Sequence, residues 1–153
     1  MKRLFDITIS LFCFILILPV IIFTSLSIFL DSKGPIFFST ERMGKNGDLF
    51  KIYKFRTMYF DKDINGPGVT NLNDKRVTKV GKLLRRIRLD EIPQLFNILK
   101  GEMSIVGPRP EDPKYVKYFK EDYKKLLSVR PGCVSPGWIK YRDEMVFKNI
   151  SKN

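Results

Sequence analysis

Histidine is absent from this chain of 153 residues, and its absence narrows the available chemistry. It excludes Ser-His-Asp and Cys-His hydrolases, His-ligated zinc and any imidazole acid or base. Proton transfer must therefore involve Asp, Glu, Lys, Tyr or water. Cysteine is scarce too, since Cys13 in an apolar run and Cys133 near the other end are the only two. Two cysteines are too few for a zinc knot or a disulfide framework, which indicates a reducing, cytosol-facing protein.

Acidic residues are also few. The chain has 16 Asp and Glu against 28 Lys and Arg, which leaves a formal net charge of +12. A chain of this length has room for one small hydrophobic core. The basic excess predicts anionic partners, and nucleic acid, anionic lipid and phosphate-bearing substrates all fit at this point.

One apolar segment, ITISLFCFILILPVIIFTSLSIFL, spans Ile7 to Leu30 and contains no charged residue. As a helix, its 24 residues would measure about 36 Å, which is enough to cross a hydrocarbon core of about 30 Å. The segment is too long for the apolar region of a signal peptide, and no A-x-A-like cleavage site follows it. It therefore predicts a membrane anchor over residues 1–31, followed by a cytosolic domain over residues 32–153.

Two features bear on how this anchor sits in the membrane. Pro19 lies in the middle of the run, where it removes a backbone hydrogen bond and predicts a kink or break. Basic residues lie on both sides, with Lys2 and Arg3 before the run and a basic domain after it, so positive-inside reasoning favours both flanks in the cytosol. A re-entrant helix broken at Pro19 satisfies both features, and a Pro-kinked single span stays open as the alternative.

Residues 36–58 predict two extended segments around a polar loop that contains Asn46 and Gly47. The second segment, FKIYKFR, partly alternates apolar and basic side chains, so one face can pack while Lys54 or Arg56 points at an anion. An edge strand protected by its lysines is the plainer interpretation. The polar stretch 61–76 has no periodicity and predicts a loop.

Two helices are predicted further along the chain. The first is amphipathic. Its apolar stripe is formed by Val80, Leu83, Leu84 and Ile87. Its basic face is formed by Lys82, Arg85, Arg86 and Arg88. The second begins with Asp90 as its N-cap, tolerates Pro93 in its first turn and ends at Gly101. Its apolar stripe is formed by Ile92, Leu95, Phe96 and Leu99.

Asp90 and Glu91 form the most informative pair. A helix N-terminus favours an ionised carboxylate and also attracts phosphate. Adjacent side chains on a helix point in different directions, so one carboxylate can attack while the other holds a hard cation such as Mg²⁺. As local sequence, a cap with a dipole-compensating Glu is the commoner explanation. The basic helix upstream and Arg109, which two prolines present with little ordering cost, favour a site for a diphosphate.

The chain resembles the bacterial sugar transferase family, the monotopic phosphoglycosyl transferases that start glycan assembly on undecaprenyl phosphate. The resemblance rests on the order and spacing of short blocks from residue 2 to about residue 132: KRLFD, SKGPIFF, KFRTM, NDKRVTKVG, LDEIPQLFN and KGEMSIVGPRP. It implies an α+β, helix-dominated fold with a re-entrant membrane helix, a small cytosolic domain and amphipathic interfacial helices. The family's anchor is broken at a Ser-Pro pair, where this chain has Leu18-Pro19.

The resemblance also implies a ping-pong reaction. Asp90 matches the family's nucleophile, which attacks the sugar-linked phosphorus of a UDP-sugar, expels UMP and forms a phosphosugar-aspartyl intermediate that polyprenyl phosphate then takes up. Glu91 matches the carboxylate that is associated with Mg²⁺, the expected cofactor. The residues expected to bind phosphate or organise the site are Lys54, Arg56, Arg85, Arg88 and Arg109.

The expected partners are a UDP-sugar, undecaprenyl phosphate and lipid at the cytosolic face of the bacterial inner membrane, without nucleic acid. A homo-oligomer and downstream glycosyltransferases stay open as further partners, and the sequence does not name the sugar. A membrane-tethered basic module that binds nucleic acid or anionic lipid is the alternative class, but an Asp-Glu pair has no role in reading a DNA groove. A catalytically inactive relative that serves as a scaffold is the other alternative.

The end of the chain departs from the family pattern. Many relatives read RPGITGW where this chain has RPGCVSPGW, and they continue into amphipathic segments where this sequence stops at Asn153. We therefore expect a minimal or truncated form, or one that works with a partner. Residues 111–129 place aromatic side chains and leucines at helical spacing between lysines, which fits either an interfacial helix or a solvated helix on the core.

Overall fold

The computed structural model describes residues 1–60, 74–116 and 122–135. The described helices are α1 (Lys2–Asp31), α2 (Lys79–Arg86), α3 (Gln94–Lys100), α4 (Pro113–Val116) and α5 (Asp122–Leu127). The strands are β1 (Phe37–Met43), β2 (Leu49–Phe55), β3 (Ser104–Val106) and β4 (Gly132–Val134). Two 3-10 turns cover Lys45–Gly47 and Leu89–Glu91. This mixture of helix and strand confirms the α+β class.

Helix α1 is 30 residues long and is largely exposed. Within the part of the chain that the structure describes, it is the one helix that is long and apolar enough to cross a bilayer. Its buried residues are confined to positions near the two ends, Asp6, Ser10, Thr24 and Ile28. Exposing so much apolar surface to water is unfavourable, so an exposed apolar helix of this length indicates association with a membrane.

The N-terminal end of α1 is hydrogen-bonded to the segment from α3 to β3. The Arg3 guanidinium donates to the carbonyls of Ile98 and Leu99, the latter at 2.8 Å. The buried carboxylate of Asp6 accepts hydrogen bonds from the Ser104 hydroxyl at 2.8 Å and the Ile105 amide at 3.3 Å. Because these partners belong to the folded domain, the first turns of α1 lie against it.

The C-terminal end of α1 contacts the same domain. The Asp31 carboxylate accepts from the Val80 amide at 3.2 Å, and the Arg56 guanidinium donates to the Ser32 carbonyl at 2.6 Å and the Lys33 carbonyl at 2.7 Å. Ile28 packs with Phe55 of β2 in one of the two core clusters. Both ends of α1 are therefore held by one domain.

The sequence predicts a kink or break at Pro19. In the structure, Pro19 lies inside α1 and the helix continues through it without a break. One proline removes a single backbone hydrogen bond, and the neighbouring bonds continue the helix. Three hydroxyl groups, those of Thr8, Ser25 and Ser27, donate to the carbonyl four residues earlier. Such bonds bend a helix and do not end it.

Strands β1 and β2 confirm the two predicted extended segments, and they form a hairpin. They pair antiparallel, with Phe37 opposite Phe55 and Met43 opposite Leu49. The connecting turn places Asn46 at φ 60°, a left-handed conformation that Asn tolerates better than most residues. The buried face of β2 contributes to the second core cluster, Phe50, Ile52, Ile98 and Met103.

Helix α2 confirms the first predicted helix but buries only half of its predicted apolar stripe. The Thr78 hydroxyl caps it by accepting from the Gly81 amide at 2.9 Å. A Cβ at Gly81 would collide with the Thr57 carbonyl, so glycine lets the helix approach the end of β2. Leu84 is buried, whereas Leu83 is 56% exposed and Ile87 is 51% exposed. The prediction that both face the core is wrong, because an eight-residue helix that touches its neighbours along one line buries a narrower stripe.

Helix α3 begins at Gln94 and not at Asp90. Asp90 lies in the preceding 3-10 turn, and its side chain makes no capping hydrogen bond to α3, so the N-cap prediction is wrong. Arg88 precedes this turn at φ 62° and ψ 17°, which turns the chain sharply between α2 and α3. The predicted end is confirmed, because Gly101 adopts a left-handed φ of 92°.

Strands β3 and β4 form a short parallel pair beyond α3. The Gly132 amide donates to the Pro108 carbonyl at 2.8 Å, which holds the Gly107–Pro110 turn against β4. The predicted helix over residues 111–129 is represented by α4 and α5. Most of the predicted loop 61–76, the residue Phe119 and everything after residue 135 lie outside the described residues.

Candidate active site

The 3-10 turn Leu89–Glu91 lies against β2, and this contact brings Lys54 to the acidic pair. The Lys54 ammonium donates to Glu91 Oε1 at 2.8 Å, and an Arg88 guanidinium nitrogen lies 3.8 Å from Glu91 Oε2. Both carboxylate oxygens therefore face a cation, although Arg88 is half exposed and its longer contact is the weaker one. Of the two candidate cations in the FKIYKFR segment, Lys54 is the one that reaches the pair.

Asp90 lies beside this ion pair. Its Oδ1 atom is buried and accepts no hydrogen bond from any group in the described part of the chain. Desolvation raises the pKa of Asp90, and the negative charge of Glu91 adds to this effect, while Lys54 and Arg85 oppose it. Because Oδ1 is desolvated and accepts no hydrogen bond from the described residues, its lone pairs are available for attack.

Glu91 has the opposite electrostatic balance. Desolvation by itself would raise the pKa of Glu91, but the charge and the hydrogen bond of Lys54 outweigh it, with help from Arg109 and Arg88, so the pKa is lowered. Neighbouring carboxylates whose pKa values move apart are typical of sites where the two groups have different roles.

Arg85 approaches Asp90 from α2. Its Nε donates to the Thr57 hydroxyl at 2.8 Å, and desolvation lowers its pKa while the charge of Asp90 opposes that shift. Asp74 and Arg76 adjoin Arg85, since both of their charges act on it. The Arg76 hydrogen bonds lower the pKa of Asp74 to about 2, so this pair stays ionised. Asp74 and Arg76 were not among the predicted site residues, although both lie in the NDKRVTKVG block.

Arg56 occupies a different place from the other candidate cations. Its side chain is buried, and its guanidinium donates to the Ser32 and Lys33 carbonyls and to the Ser32 hydroxyl. It therefore binds the C-terminal end of α1. Desolvation lowers its pKa, and the charge of Asp31 opposes that shift. None of these described hydrogen bonds of Arg56 goes to the acidic pair.

Arg109 lies near enough to the acidic pair for its charge to lower the pKa of Glu91. It lines a pocket of about 210 Å³ between the β1–β2 hairpin, the Gly107–Pro110 turn and α5. The pocket wall is mostly apolar and includes Met43, Pro108, Leu126, Leu127, Val129 and Pro131. A cation at the edge of an apolar pocket suits a ligand with a phosphate at one end and a flat or apolar group at the other.

Cys133 of β4 was also not among the predicted site residues, but the charges of Glu91 and Lys54 act on its thiol. Desolvation, helped by the charge of Glu91, raises the pKa of its thiol to about 12, while Lys54 opposes the shift. Although part of the residue faces solvent, its thiol is close enough to the acidic pair to be affected by it. A thiol with this pKa stays protonated near neutral pH and is a poor nucleophile.

The residues present fit a magnesium ion that is shared with a substrate. In residues 1–60, 74–116 and 122–135, no group of three or more Asp, Glu, Cys or His side chains could form a metal cage by itself. Mg²⁺ usually keeps several waters and binds through one or two carboxylates together with substrate phosphates. Asp90 and Glu91 supply such carboxylates, and Asp90 Oδ1 has no hydrogen-bond partner among the described groups.

The sequence matches the bacterial sugar transferase family over residues 1–152, which is nearly the whole chain. The chain belongs to this family. The family match does not favour the alternatives of an inactive scaffold or a nucleic-acid-binding module. It also covers the acidic pair and all of the cations named above.

Several curated relatives are similar over most of this chain. An undecaprenyl-phosphate glucose phosphotransferase of Komagataeibacter xylinus is 41% identical over 144 residues, which cover 90% of this chain and 27% of that protein. A UDP-N-acetylgalactosamine-undecaprenyl-phosphate N-acetylgalactosaminephosphotransferase of Aeromonas hydrophila is 41% identical over 140 residues, which cover 90% of this chain and 33% of that protein. The exopolysaccharide production protein PSS of Rhizobium leguminosarum bv. phaseoli is 48% identical over 110 residues, which cover 71% of this chain and 55% of that protein.

This sugar transferase chain therefore spans between about a quarter and just over half of the length of these three relatives. The names of the first two relatives share the acceptor, undecaprenyl phosphate, and differ in the sugar.

Proposed function

We propose that this chain transfers a sugar 1-phosphate from a UDP-sugar to a polyprenyl phosphate, with Asp90 as the nucleophile. The proposal is supported by family membership, by the names of the relatives and by the arrangement of charges around Asp90 and Glu91. The relatives divide between glucose and N-acetylgalactosamine, so the donor sugar is left to experiment.

The reaction has two displacements at one phosphorus atom. In the first, an Asp90 carboxylate oxygen bonds to the sugar-linked phosphorus, and the bond from that phosphorus to the bridging oxygen breaks, so UMP leaves with that oxygen. In the second, a phosphate oxygen of the polyprenyl phosphate bonds to the same phosphorus, the phosphorus–Asp90 bond breaks and the free carboxylate returns. Each displacement brings an anion towards an anion, so nearby cations are needed to offset the repulsion.

The observation that carries this proposal is the contrast between two adjacent carboxylates. Glu91 is held by Lys54 at 2.8 Å, while Asp90 Oδ1 is buried and accepts no hydrogen bond from the described residues. A purely structural carboxylate in a desolvated position would be expected to have a partner for each buried oxygen. We therefore propose that Asp90 attacks and that Lys54, Arg85, Arg88 and Arg109 bind phosphate oxygens.

We propose that Mg²⁺ is held by Glu91, with Asp90 nearby, and by the phosphates of the donor. When bound, the ion would neutralise charge that develops on the phosphate oxygens. Lys54 favours the ionised form of Glu91, and the ionised carboxylate is the form that binds Mg²⁺. Removal of divalent cations by EDTA is expected to abolish UMP release, and restored Mg²⁺ to recover it. Full activity in EDTA would contradict the metal assignment.

The test of the function is UMP release by the purified, detergent-solubilised chain from UDP-glucose, UDP-N-acetylglucosamine, UDP-galactose and UDP-N-acetylgalactosamine, with undecaprenyl phosphate present. We expect release with at least one donor and none after Asp90→Asn, because an amide is a far weaker nucleophile than a carboxylate. Asp48→Asn is the matched control, since Asp48 is an exposed carboxylate at the other end of the domain's hairpin. Undiminished turnover by Asp90→Asn would contradict the assignment of the nucleophile.

We further propose that α1 is a re-entrant anchor at the cytosolic face of the bacterial inner membrane. Arg3 and Asp6 at one end and Asp31 at the other bond to the same domain, which supports an anchor whose ends lie on one side of the bilayer. A single span would place the two ends on opposite sides of the hydrocarbon core, where one domain could not bind both. The exposed apolar side chains between the ends would then contact lipid.

Protease accessibility tests this topology. One cleavable tag is added before Met1 and a second is inserted in the turn Lys45–Gly47, and both are probed in sealed inverted inner-membrane vesicles. A re-entrant anchor predicts that both tags are cut. If one tag is cut and the other is protected until detergent is added, the chain crosses the membrane and the proposal is wrong.

A further inference from the structure

Asn97 in α3 is fully buried, and its side-chain amide uses both of its ends. Its Oδ1 accepts a hydrogen bond from the backbone amide of Tyr53 at 3.1 Å. Its Nδ2 donates to the Lys51 carbonyl at 2.7 Å and to Glu102 Oε2 at 2.7 Å. Three bonds at one buried amide indicate a fixed connection between α3 and β2.

The two backbone groups that Asn97 binds lie on the edge of β2 that faces away from β1. The Arg56 amide donates to the Ile36 carbonyl at 2.8 Å, so in this antiparallel pair the even-numbered residues of β2 bond to β1. Lys51 and Tyr53 therefore direct their amides and carbonyls to the opposite edge. The amide of Asn97 offers that edge one acceptor and one donor, as a third strand would.

This connection is close to the acidic pair along the chain. On β2 it involves Tyr53, the neighbour of Lys54, and on the other side it involves the helix that comes after Asp90 and Glu91. Lys54 directly follows Tyr53, and α3 begins three residues after Glu91. The backbone carbonyl of Asn97 also accepts from the amides of Gly101, Glu102 and Met103, which ties the end of α3 to the same point. The placement of β2 against α3 therefore sets how the Lys54 ammonium meets the Glu91 carboxylate.

We propose that Asn97 is a positioning residue, whose amide holds β2 in register with α3 so that Lys54 reaches Glu91 at hydrogen-bond distance. This inference rests on the proposed function for its effect on rate, but its structural part does not. Asn97 is too deeply buried to touch a substrate, and it acts through Lys54.

Amide hydrogen exchange tests the structural part without any assay of activity. In the unmodified protein, the Tyr53 amide is expected to be protected as well as that of Ile52, although Tyr53 faces away from β1. Asn97→Ala should speed exchange at Tyr53 at least tenfold. Leu95→Ala is the matched control, because Leu95 packs on the same core cluster from the same helix without touching the amide. Fast exchange at Tyr53 in the unmodified protein, or no change in Asn97→Ala, would overturn the proposal.

A double-mutant cycle tests the positioning role, with kcat/KM for UMP release as the readout. Asn97→Ala is expected to lower kcat/KM at least tenfold when Lys54 is present, and less than threefold in a Lys54→Met background. A loss of stability alone would lower the rate equally in both backgrounds, so equal losses would overturn the positioning role.

The two arms separate this inference from the proposed function. If the unmodified chain releases no UMP from any donor, the proposed function has failed, and the exchange arm still decides whether Asn97 holds β2. If Asn97→Ala does not fold, the comparison of Tyr53 with Ile52 in the unmodified protein decides the same question. If UMP is released and the cycle is additive, the function stands and the positioning role fails.

Discussion

The anchor helix α1 and the segment from β2 to α3 are held in opposite ways. In α1, most side chains are apolar and exposed, and the polar contacts with the domain occur near its two ends. From β2 to α3, a few charged and amide groups are bound at distances of 2.7 to 3.1 Å. In α1, many similar apolar side chains contribute to one exposed surface and can replace one another. From β2 to α3, a few specific side chains make the hydrogen bonds that hold the segment.

This difference has a consequence for single substitutions. Changes in the β2–α3 region should alter the rate of the proposed reaction, while changes in the middle of α1 should alter only its partition into the membrane. Three predictions follow from this contrast, beginning with the largest expected effect.

The largest effect is expected at Lys54. Lys54→Met removes the ammonium that holds Glu91 and opposes the negative charge near Asp90. Loss of one preorganised charge of this kind typically lowers kcat by about 10²- to 10³-fold. Lys51→Met is the control, because Lys51 is an exposed lysine on the same strand. Steady-state UMP release measures both variants, and an equal rate for them would remove the distinction between the two lysines.

A pair of exposed leucines provides the intermediate effect. Leu16 in α1 and Leu49 in β2 are 61% and 56% exposed, respectively. Leu16→Lys places a charge in the hydrocarbon region and should weaken membrane association by about 3 kcal/mol. Leu49→Lys should change it by no more than about 0.5 kcal/mol, as is usual at a protein surface. Liposome flotation measures both, and equal flotation of the two variants would contradict the assignment of α1 to lipid.

The smallest effect is expected at Asp74. Its pKa is lowered to about 2 by Arg76, so the pair stabilises the fold above the ordinary aspartate pKa of about 3.9 and loses that effect as the pH falls towards 2. The difference in Tm between the unmodified chain and Asp74→Asn should therefore be constant above pH 5 and shrink between pH 4 and pH 2. A difference that does not change with pH would show that the pair is not a stabilising contact.

The sequence predicted those features that depend on local composition. The apolar run Ile7–Leu30 lies within α1, the loop with Asn46 connects β1 to β2, and Gly101 ends α3, because each depends on side chains close together in the chain. The acidic pair and the cations Lys54 and Arg85 could also be selected from their spacing and from the family resemblance. The structure brings these cations close to the pair.

Features that depend on tertiary contacts were beyond the sequence. Lys54 on β2 and Arg56 just after it are equivalent by pattern, yet Lys54 contacts Glu91 while Arg56 contacts the end of α1. The burial of Leu84 without Leu83 depends on where α1 crosses α2. The role of Asn97 depends on the free edge of β2, which no local pattern indicates.

The central claim is that Asp90 carries the sugar phosphate between the two displacements. The most direct measurement is the mass of the Asp90 peptide after incubation with an accepted UDP-sugar in the absence of polyprenyl phosphate, followed by rapid quenching. We predict an added mass of one sugar phosphate less one water on this peptide, lost when polyprenyl phosphate is supplied and absent from Asp90→Asn. Turnover without any such adduct, or with the adduct on another residue, would contradict the account.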